Sequence, residues 1–174
     1  MIVVLRLGHR LGRDDRISTH CGLVARALGA SSIIYSGDHD DQMVAGINEV
    51  REKFGGKFEV GYNPGWRHVI TDFKKRHFAV VHLTAYGMPI QKQIGKIKRK
   101  RNVLVIIGSE KVPGEVYQIA DFNIAVTNQP HSEVASLAIF LNQCLGKKSL
   151  NQKFTKAKVT IVPQEKGKKV VEKK

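Results

Sequence analysis

Three segments combine glycine or proline with small polar residues in a way that could hold a ligand through the main chain: HLTAYGMP (82–89), IGSEKVPG (107–114) and VTNQPHSEVA (126–135). Each follows an apolar, β-branched run, and in open parallel sheets ligands gather at the carboxyl ends of strands. Glycine in such a loop allows close approach to the backbone, and Asn128, Ser132 and Glu133 could add side-chain contacts. An earlier loop, LGHRLGRDDR, sets Gly8 and Gly12 four apart, which is not G-x-G-x-x-G, and no G-K-[ST] occurs anywhere. A dinucleotide or triphosphate site is thereby disfavoured. Any one of the three loops read alone is also an ordinary strand-to-helix turn with good capping. Cys21 and Cys144 lie far apart without a partner motif, which argues against a disulfide framework or a cysteine zinc site, and no metal is expected.

The elements that must position these loops alternate along the chain. Strand-like runs are IVVLRL (2–7), SIIYS (32–36), FEVGY (58–62), FAVVHL (78–83), NVLVII (102–107), FNIAV (122–126) and KVTIV (158–162). Segments 18–30, 40–54, 64–75, 89–100, 113–120 and 130–145 carry helix start signals or helical apolar spacing. In the last, Pro130 occupies the place of a first helical residue after Asn128, which puts Glu133 in the first turn. Continuous runs such as VLVII fit a parallel sheet covered on both faces better than an open antiparallel one. The reading is an α/β fold over residues 1–146, with an open, mostly parallel sheet and helices on both faces. Residues 147–174 form a basic extension with one candidate strand, bounded by Pro163.

At 174 residues, 42 % apolar and 25 % charged, the chain has the size and composition of one globular domain with a short appendage. No run approaches the roughly 18 to 20 apolar residues of a membrane span, and Arg6 interrupts the first one. The sequence therefore reads as cytoplasmic, with no signal peptide or anchor. The net charge of +14 is concentrated: residues 147–174 carry +8, leaving +6 for the remainder, and KQIGKIKRKR (92–101) holds six cations and no acid. Either cluster alone reads as a solvated helix face or a frayed tail. Together they point to a nucleic acid, and the extension lacks the bulky apolar anchors of a membrane-surface helix.

GSEKVP followed by AVTNQPHSEVASLA resembles the knotted cofactor-binding region of the SPOUT superfamily of S-adenosylmethionine-dependent RNA methyltransferases. VVLRLGHR, RDDRISTH and ARALGA, in that order, are similar to the archaeal family within it that methylates the ribose 2′-oxygen of cytidine 56 in the tRNA TΨC loop. The resemblance covers nearly the whole chain, including IVPQEKGKKVVE. It implies a C-terminal deep trefoil knot over about residues 80–146, S-adenosylmethionine as cofactor, tRNA as partner and a homodimer. The knot rests on the resemblance alone, since chains seldom thread their own loops. The implied cofactor contacts are Leu83 and its neighbours up to Gly87; Gly108, Ser109, Glu110, Lys111 and Val112; and Val126, Thr127, Asn128, Gln129, Pro130, His131, Ser132 and Glu133. S-adenosylmethionine carries no phosphate, which agrees with the absence of phosphate-binding glycines.

The tRNA ribose methyltransferases of this superfamily share an Asn, then five residues, then Arg-Thr-Ala. The matching stretch is HCGLVARALGA, with His20 in the Asn place, Arg26 matching the Arg and Ala27 replacing Thr. Arg26 is the sole full charge between Arg16 and Asp38, although the polar face of a surface helix would also account for it. Arginine stays protonated, so the implied role is to hold a phosphate and stabilise negative charge developing on the 2′-oxygen. His9 and His20 could relay a proton or be structural. The implied dimer has a candidate face in Val134, Leu137, Ala138 and Leu141; the same spacing serves a monomer core. Two other readings are a related enzyme acting on another tRNA or rRNA nucleotide, and a basic RNA-binding protein without catalysis.

Overall fold

The computed structural model describes residues 1–108 and 111–172. Six strands, β1 (Ile2–His9), β2 (Ser32–Gly37), β3 (Glu59–Tyr62), β4 (Ala79–Pro89), β5 (Val103–Ile107) and β6 (Phe122–Ala125), form one sheet in the order β3-β2-β1-β5-β4-β6. Every pairing in it is parallel. The intervening helices are α1 (Asp15–Ala27), α2 (Asp41–Phe54), α3 (Trp66–Lys75), α4 (Ile90–Lys98), α5 (Gly114–Ile119) and α6 (Glu133–Leu145). Beyond them lie the short α7 (Lys147–Leu150) and an antiparallel hairpin, β7 (Val159–Val162) and β8 (Lys169–Glu172).

The strands are apolar on both sides because both sides are covered. Side chains alternate along a strand, so Val4, Val81, Val105 and Ile107 face one way and meet Cys21 and Ala25 of α1, Ile47 of α2, and Leu137, Phe140 and Leu141 of α6. Val3, Leu5, Val80, Leu104 and Ile106 face the other way, against Val69, Ile70 and Phe73 of α3 and Val116 of α5. The expected layering is thus present, and several boundaries differ. Helix α1 begins at Asp15 and not at 18. Helix α6 begins at Glu133: Pro130 stands in the loop before it, and Ser132 is the cap, its hydroxyl accepting the Val134 N–H at 3.1 Å. Leu137 and Leu141 are wholly buried in the monomer, so they cannot supply a dimer face.

Strand β4 runs six residues past the apolar stretch in which it was legible. It pairs with β6 twice, at 81–83 and again at 88–89, and residues 84–87 stand out between the two registers. At the second contact the chains nearly touch. A Cβ on Gly87 would lie 2.5 Å from the Ile124 nitrogen and 2.6 Å from the Asn123 carbonyl carbon, so only glycine fits there.

The extension is docked, not trailing. The Thr155 carbonyl accepts from the Gly56 N–H at 2.9 Å, and the Lys158 N–H donates to the Lys53 carbonyl at 3.0 Å. Val159 is buried, whereas every residue of β8 is exposed.

Candidate active site at the carboxyl edge of the sheet

In a parallel sheet all loops that follow strands emerge at one edge, so adjacency in the sheet decides which loops can meet. β5 and β4 are neighbours, and β4 and β6 are neighbours. The loops after these three strands therefore converge, and between them lies a cavity of about 360 Å³, within the range of small-molecule sites. Its lining includes His82, Leu83, Thr84, Ala85 and Tyr86 from β4, Gly108 and Val112 after β5, Tyr117 of α5, Pro130, His131, Glu133 and Ser136. Of the expected cofactor contacts, Leu83, Gly108, Val112, Pro130, His131 and Glu133 thus share one pocket. Lys111, Val126, Thr127, Asn128, Gln129 and Ser132 belong to the same loops without lining it; Ser109 and Glu110 lie outside the described residues.

Several features make this a built pocket. Asn128 Nδ2 donates to the carbonyls of Ala85, at 2.7 Å, and Gly87, at 3.0 Å, tying the loop after β6 to the bulge of β4. A Cβ on Gly108 would run into the Val112 side chain, so glycine keeps that wall open. Both ring nitrogens of His131 are buried without a hydrogen-bond partner, as is Nε2 of His82. Buried polar atoms are nearly always bonded, and three unmatched ones around a single cavity mark a site for a polar ligand.

Beside the pocket, Arg6 of β1 is wholly buried. Its Nη1 donates to the Leu7 carbonyl at 2.7 Å and its Nη2 to Glu133 Oε1 at 3.3 Å. The pair joins the first strand of the chain to the mouth of the cavity. A buried arginine demands such partners, and the run IVVLRL offers no signal of where they would come from. The loop after β1 stands at the same edge, because β1 neighbours β5. In it Arg10 grips Asp14 through Nε at 2.8 Å and Nη2 at 3.0 Å, which holds the Asp14 carboxyl below its ordinary range. His9, also buried, shares 2.9 Å with Ser18 Oγ through Nδ1 and stands 3.3 Å from Asp40 Oδ2 through Nε2. His9, Asp15 and Asp40 bring ligand atoms within 4.8 Å of one another.

Arg26 is not part of this site. It lies in the last turn of α1, which runs back from the carboxyl edge to the amino edge, where the Ser31 N–H meets the Ile2 carbonyl. There its Nη2 donates to the Gly55 carbonyl at 2.6 Å, and its guanidinium stacks 4.3 Å from the Phe154 ring centroid. At 5 % exposure, it lines a separate cavity of about 610 Å³ between the end of α2 and the extension, with Phe54, Gln152 and Phe154. His20 is exposed on α1 and does not line the pocket. The spacing match to the superfamily motif thus falls on two residues that stand away from the three-loop cavity.

The fold is shared with solved methyltransferases at low identity. The SpoU methyltransferase AviRb from Streptomyces viridochromogenes, solved in complex with AdoMet, superposes with a TM-score of 0.62 at 13 % identity, over 85 % of this chain and 57 % of that one. This chain therefore spans little more than half of that structure. The A. aeolicus TrmH/SpoU tRNA modifying enzyme gives 0.63 at 14 %, over 86 % and 76 %. Sequence relatives are far closer. The tRNA (cytidine(56)-2′-O)-methyltransferase of Methanopyrus kandleri is 49 % identical over 168 residues, covering 97 % of this chain and 94 % of its own. That of Methanocaldococcus jannaschii is 50 % identical over 177 residues, covering 100 % and 98 %. The family model described as tRNA ribose 2′-O-methyltransferase matches residues 54–171, from the end of α2 through the pocket loops and into the hairpin. With relatives of this identity matched from end to end, the chain belongs to the tRNA ribose 2′-O-methyltransferase family.

Proposed function

We propose that the protein transfers the methyl group of S-adenosylmethionine to the ribose 2′-oxygen of cytidine 56 in the TΨC loop of tRNA. The observation that carries the reading is the end-to-end likeness to relatives named for this activity. The three-loop cavity supports the cofactor's place. Its open glycine wall at Gly108 and its unmatched imidazole nitrogens at His82 and His131 suit a ligand rich in polar atoms. Gly108, Val112, Pro130 and His131 would enclose the cofactor, with Lys111, Val126, Thr127, Asn128, Gln129 and Ser132 shaping the loops around it. When bound, the cofactor supplies an electrophilic sulfonium methyl group.

The chain's own part is to bring a ribose hydroxyl to that group and to stabilise the charge that develops on its oxygen. Arg10 and Arg13 lie in the loop between β1 and α1 and Arg16 in the first turn of α1, all at the carboxyl edge, and this segment takes the phosphate-holding role first expected of Arg26. The Arg6–Glu133 pair fixes the mouth of the cavity against β1.

The knot over residues 80–146 and the homodimer belong to the same proposal. The register shift between Leu83 and Met88, closed by Asn128 and by the near contact of Gly87 with β6, is consistent with a threaded chain. The dimer face would use the outer surfaces of the adjacent helices α1 and α6, where Ile139 is 45 % exposed. No helix among the described residues is long and apolar enough to cross a membrane, which fits work on tRNA in the cytoplasm.

Nucleoside mass spectrometry of unmodified tRNA, incubated with the protein and methyl-labelled cofactor, tests the function. Label on the ribose of cytidine 56 is expected. Label on another nucleotide would make it a related enzyme with a different target, and no label with RNA still bound would make it a binding protein.

A further inference from the structure

We propose that His82 reads the adenine of the bound cofactor, its Nε2 accepting a hydrogen bond from the exocyclic amine. The inference rests on the reading that the three-loop cavity holds S-adenosylmethionine.

His82 sits on β4, wholly buried, and lines the cavity. Its proton position follows from its neighbours. Asn123 Nδ2 donates to the Tyr117 carbonyl at 2.7 Å, which fixes the orientation of that amide. Asn123 Oδ1 therefore faces His82 Nδ1, 2.9 Å away. An oxygen in that place can only accept, so the imidazole proton is on Nδ1 and Nε2 carries a bare lone pair. Nε2 is buried and meets no donor. Burial also lowers the imidazole pKa below the ordinary histidine value, against the smaller opposing effect of the Asn123 bond. The ring is consequently a neutral acceptor held in one tautomer.

Its surroundings indicate which donor would complete it. The Tyr117 ring packs edge-on, with centroids 4.6 Å apart, and the Tyr117 hydroxyl lies 3.3 Å from Thr84 Oγ1. Tyr117, Leu83 and Val112 offer the cavity aromatic and aliphatic surface, suited to a planar base. Among the described residues the carboxylate in the lining is Glu133, the better partner for the cofactor's ammonium group. The donor that an adenine ring presents at its edge is the 6-amino group. Hypoxanthine has an oxygen there, which would set one acceptor against another, and a site built around a hydrogen bond rejects a ligand that cannot make it.

Calorimetric titration with S-adenosylhomocysteine and with its 6-oxo (inosyl) analogue provides the test, with thermal melting to verify folding. The protein is expected to prefer the adenosyl ligand by roughly 10- to 100-fold, the range of one buried hydrogen bond. In His82→Leu that preference should fall by about tenfold or more, because the variant loses the acceptor and keeps the cavity's shape. A preference unchanged by the substitution overturns the proposal. A second measurement needs no variant: the ¹⁵N imidazole resonances of the unaltered protein should show the Nδ1–H tautomer, with Nε2 moving upfield when S-adenosylhomocysteine is added. An Nε2 resonance that does not respond to a ligand seen to bind also overturns it. If neither nucleoside binds at millimolar concentration, the cofactor reading itself fails, and this inference with it.

Discussion

A residue's neighbours decide what its chemistry can be, and here they decide differently for residues of one type. Arg6 and Arg26 are both buried, but Arg6 is spent on a residue of the pocket mouth and Arg26 on a backbone carbonyl and an aromatic ring. Glu133→Gln should remove the countercharge of Arg6 while keeping an acceptor oxygen, and lower stability by roughly 1–3 kcal/mol in chemical denaturation, the range of a charge-assisted hydrogen bond. Gly87→Ala should be comparably damaging, since its methyl group meets backbone that cannot step aside; the overpacking is expected to cost roughly 1–3 kcal/mol and to abolish cofactor binding by displacing the β4 bulge. The two thiols give a pH prediction. Burial pushes Cys21 and Cys144 up from 9.0 to about 12. A pKa raised in the folded state stabilises fully below the unfolded value and is lost as pH rises through the folded one, so stability should decline between about pH 9 and pH 12. Thiol reagents at pH 8 should leave Cys21 untouched until the protein is unfolded. At this scale the sequence was half legible. Gly108 and His131 lie in loops, and Glu133 just after one, whose glycine, proline and small polar residues announce them. His82 opens the first of those segments but still belongs to a strand, and Tyr117 sits in a helix, where a polar residue among apolar ones does not by itself mark the cavity between them. Arg26 lies away from the pocket: a motif spacing specifies neither the helix face nor what covers it.

Elements were the most legible level, because hydrophobic period and turn residues act locally. All six strands of the main sheet and their helices fall close to the expected runs. The exceptions have physical causes. Apolar character stops at Leu83, so nothing marks the continuation of β4 to Pro89, whose second pairing exists only because β6 arrives there. Helix α6 starts where Ser132 offers a hydroxyl, three residues after the turn that Pro130 suggested. Ser132→Ala should lower stability by about 1 kcal/mol, the usual value of a serine cap. Strand β8 is four residues long and wholly exposed, with lysines just before it, and only its partner β7 makes it a strand. The docking of that hairpin is where Arg26 acts. Arg26→Ala leaves the Gly55 carbonyl without its donor and Phe154 without its stacked cation. It should loosen residues 151–172, detectable as faster amide exchange there, while cofactor affinity stays within about twofold. Loss of methyl transfer without increased exchange in the extension would return Arg26 to the catalytic role that the motif implies.

The whole molecule faces a polyanion many times longer than its pocket, and its charge is placed accordingly. The six cations of 92–101 are all exposed, on and just beyond α4. Lys153, Lys156, Lys158, Lys166, Lys168 and Lys169 of the extension are exposed as well. The extension is anchored to the end of α2 by main-chain hydrogen bonds and to the end of α1 by the stacking of Arg26 on Phe154, so its lysines are held on a fixed arm, which distinguishes them from those of a loose tail. A fixed arm that touches phosphates releases a set number of counterions, and each phosphate neutralised contributes roughly 0.7 to 0.9 to the slope of log affinity against log salt. Replacing Lys166, Lys168 and Lys169 together with glutamine should therefore flatten that slope by about 2 for unmodified tRNA, with cofactor affinity unchanged because these residues line no part of the cavity. The same substitutions should weaken binding at low salt far more than at high salt. A slope equal to that of the unaltered protein would mean that the arm faces away from the RNA, and the cations of 92–101 would then be the next to neutralise.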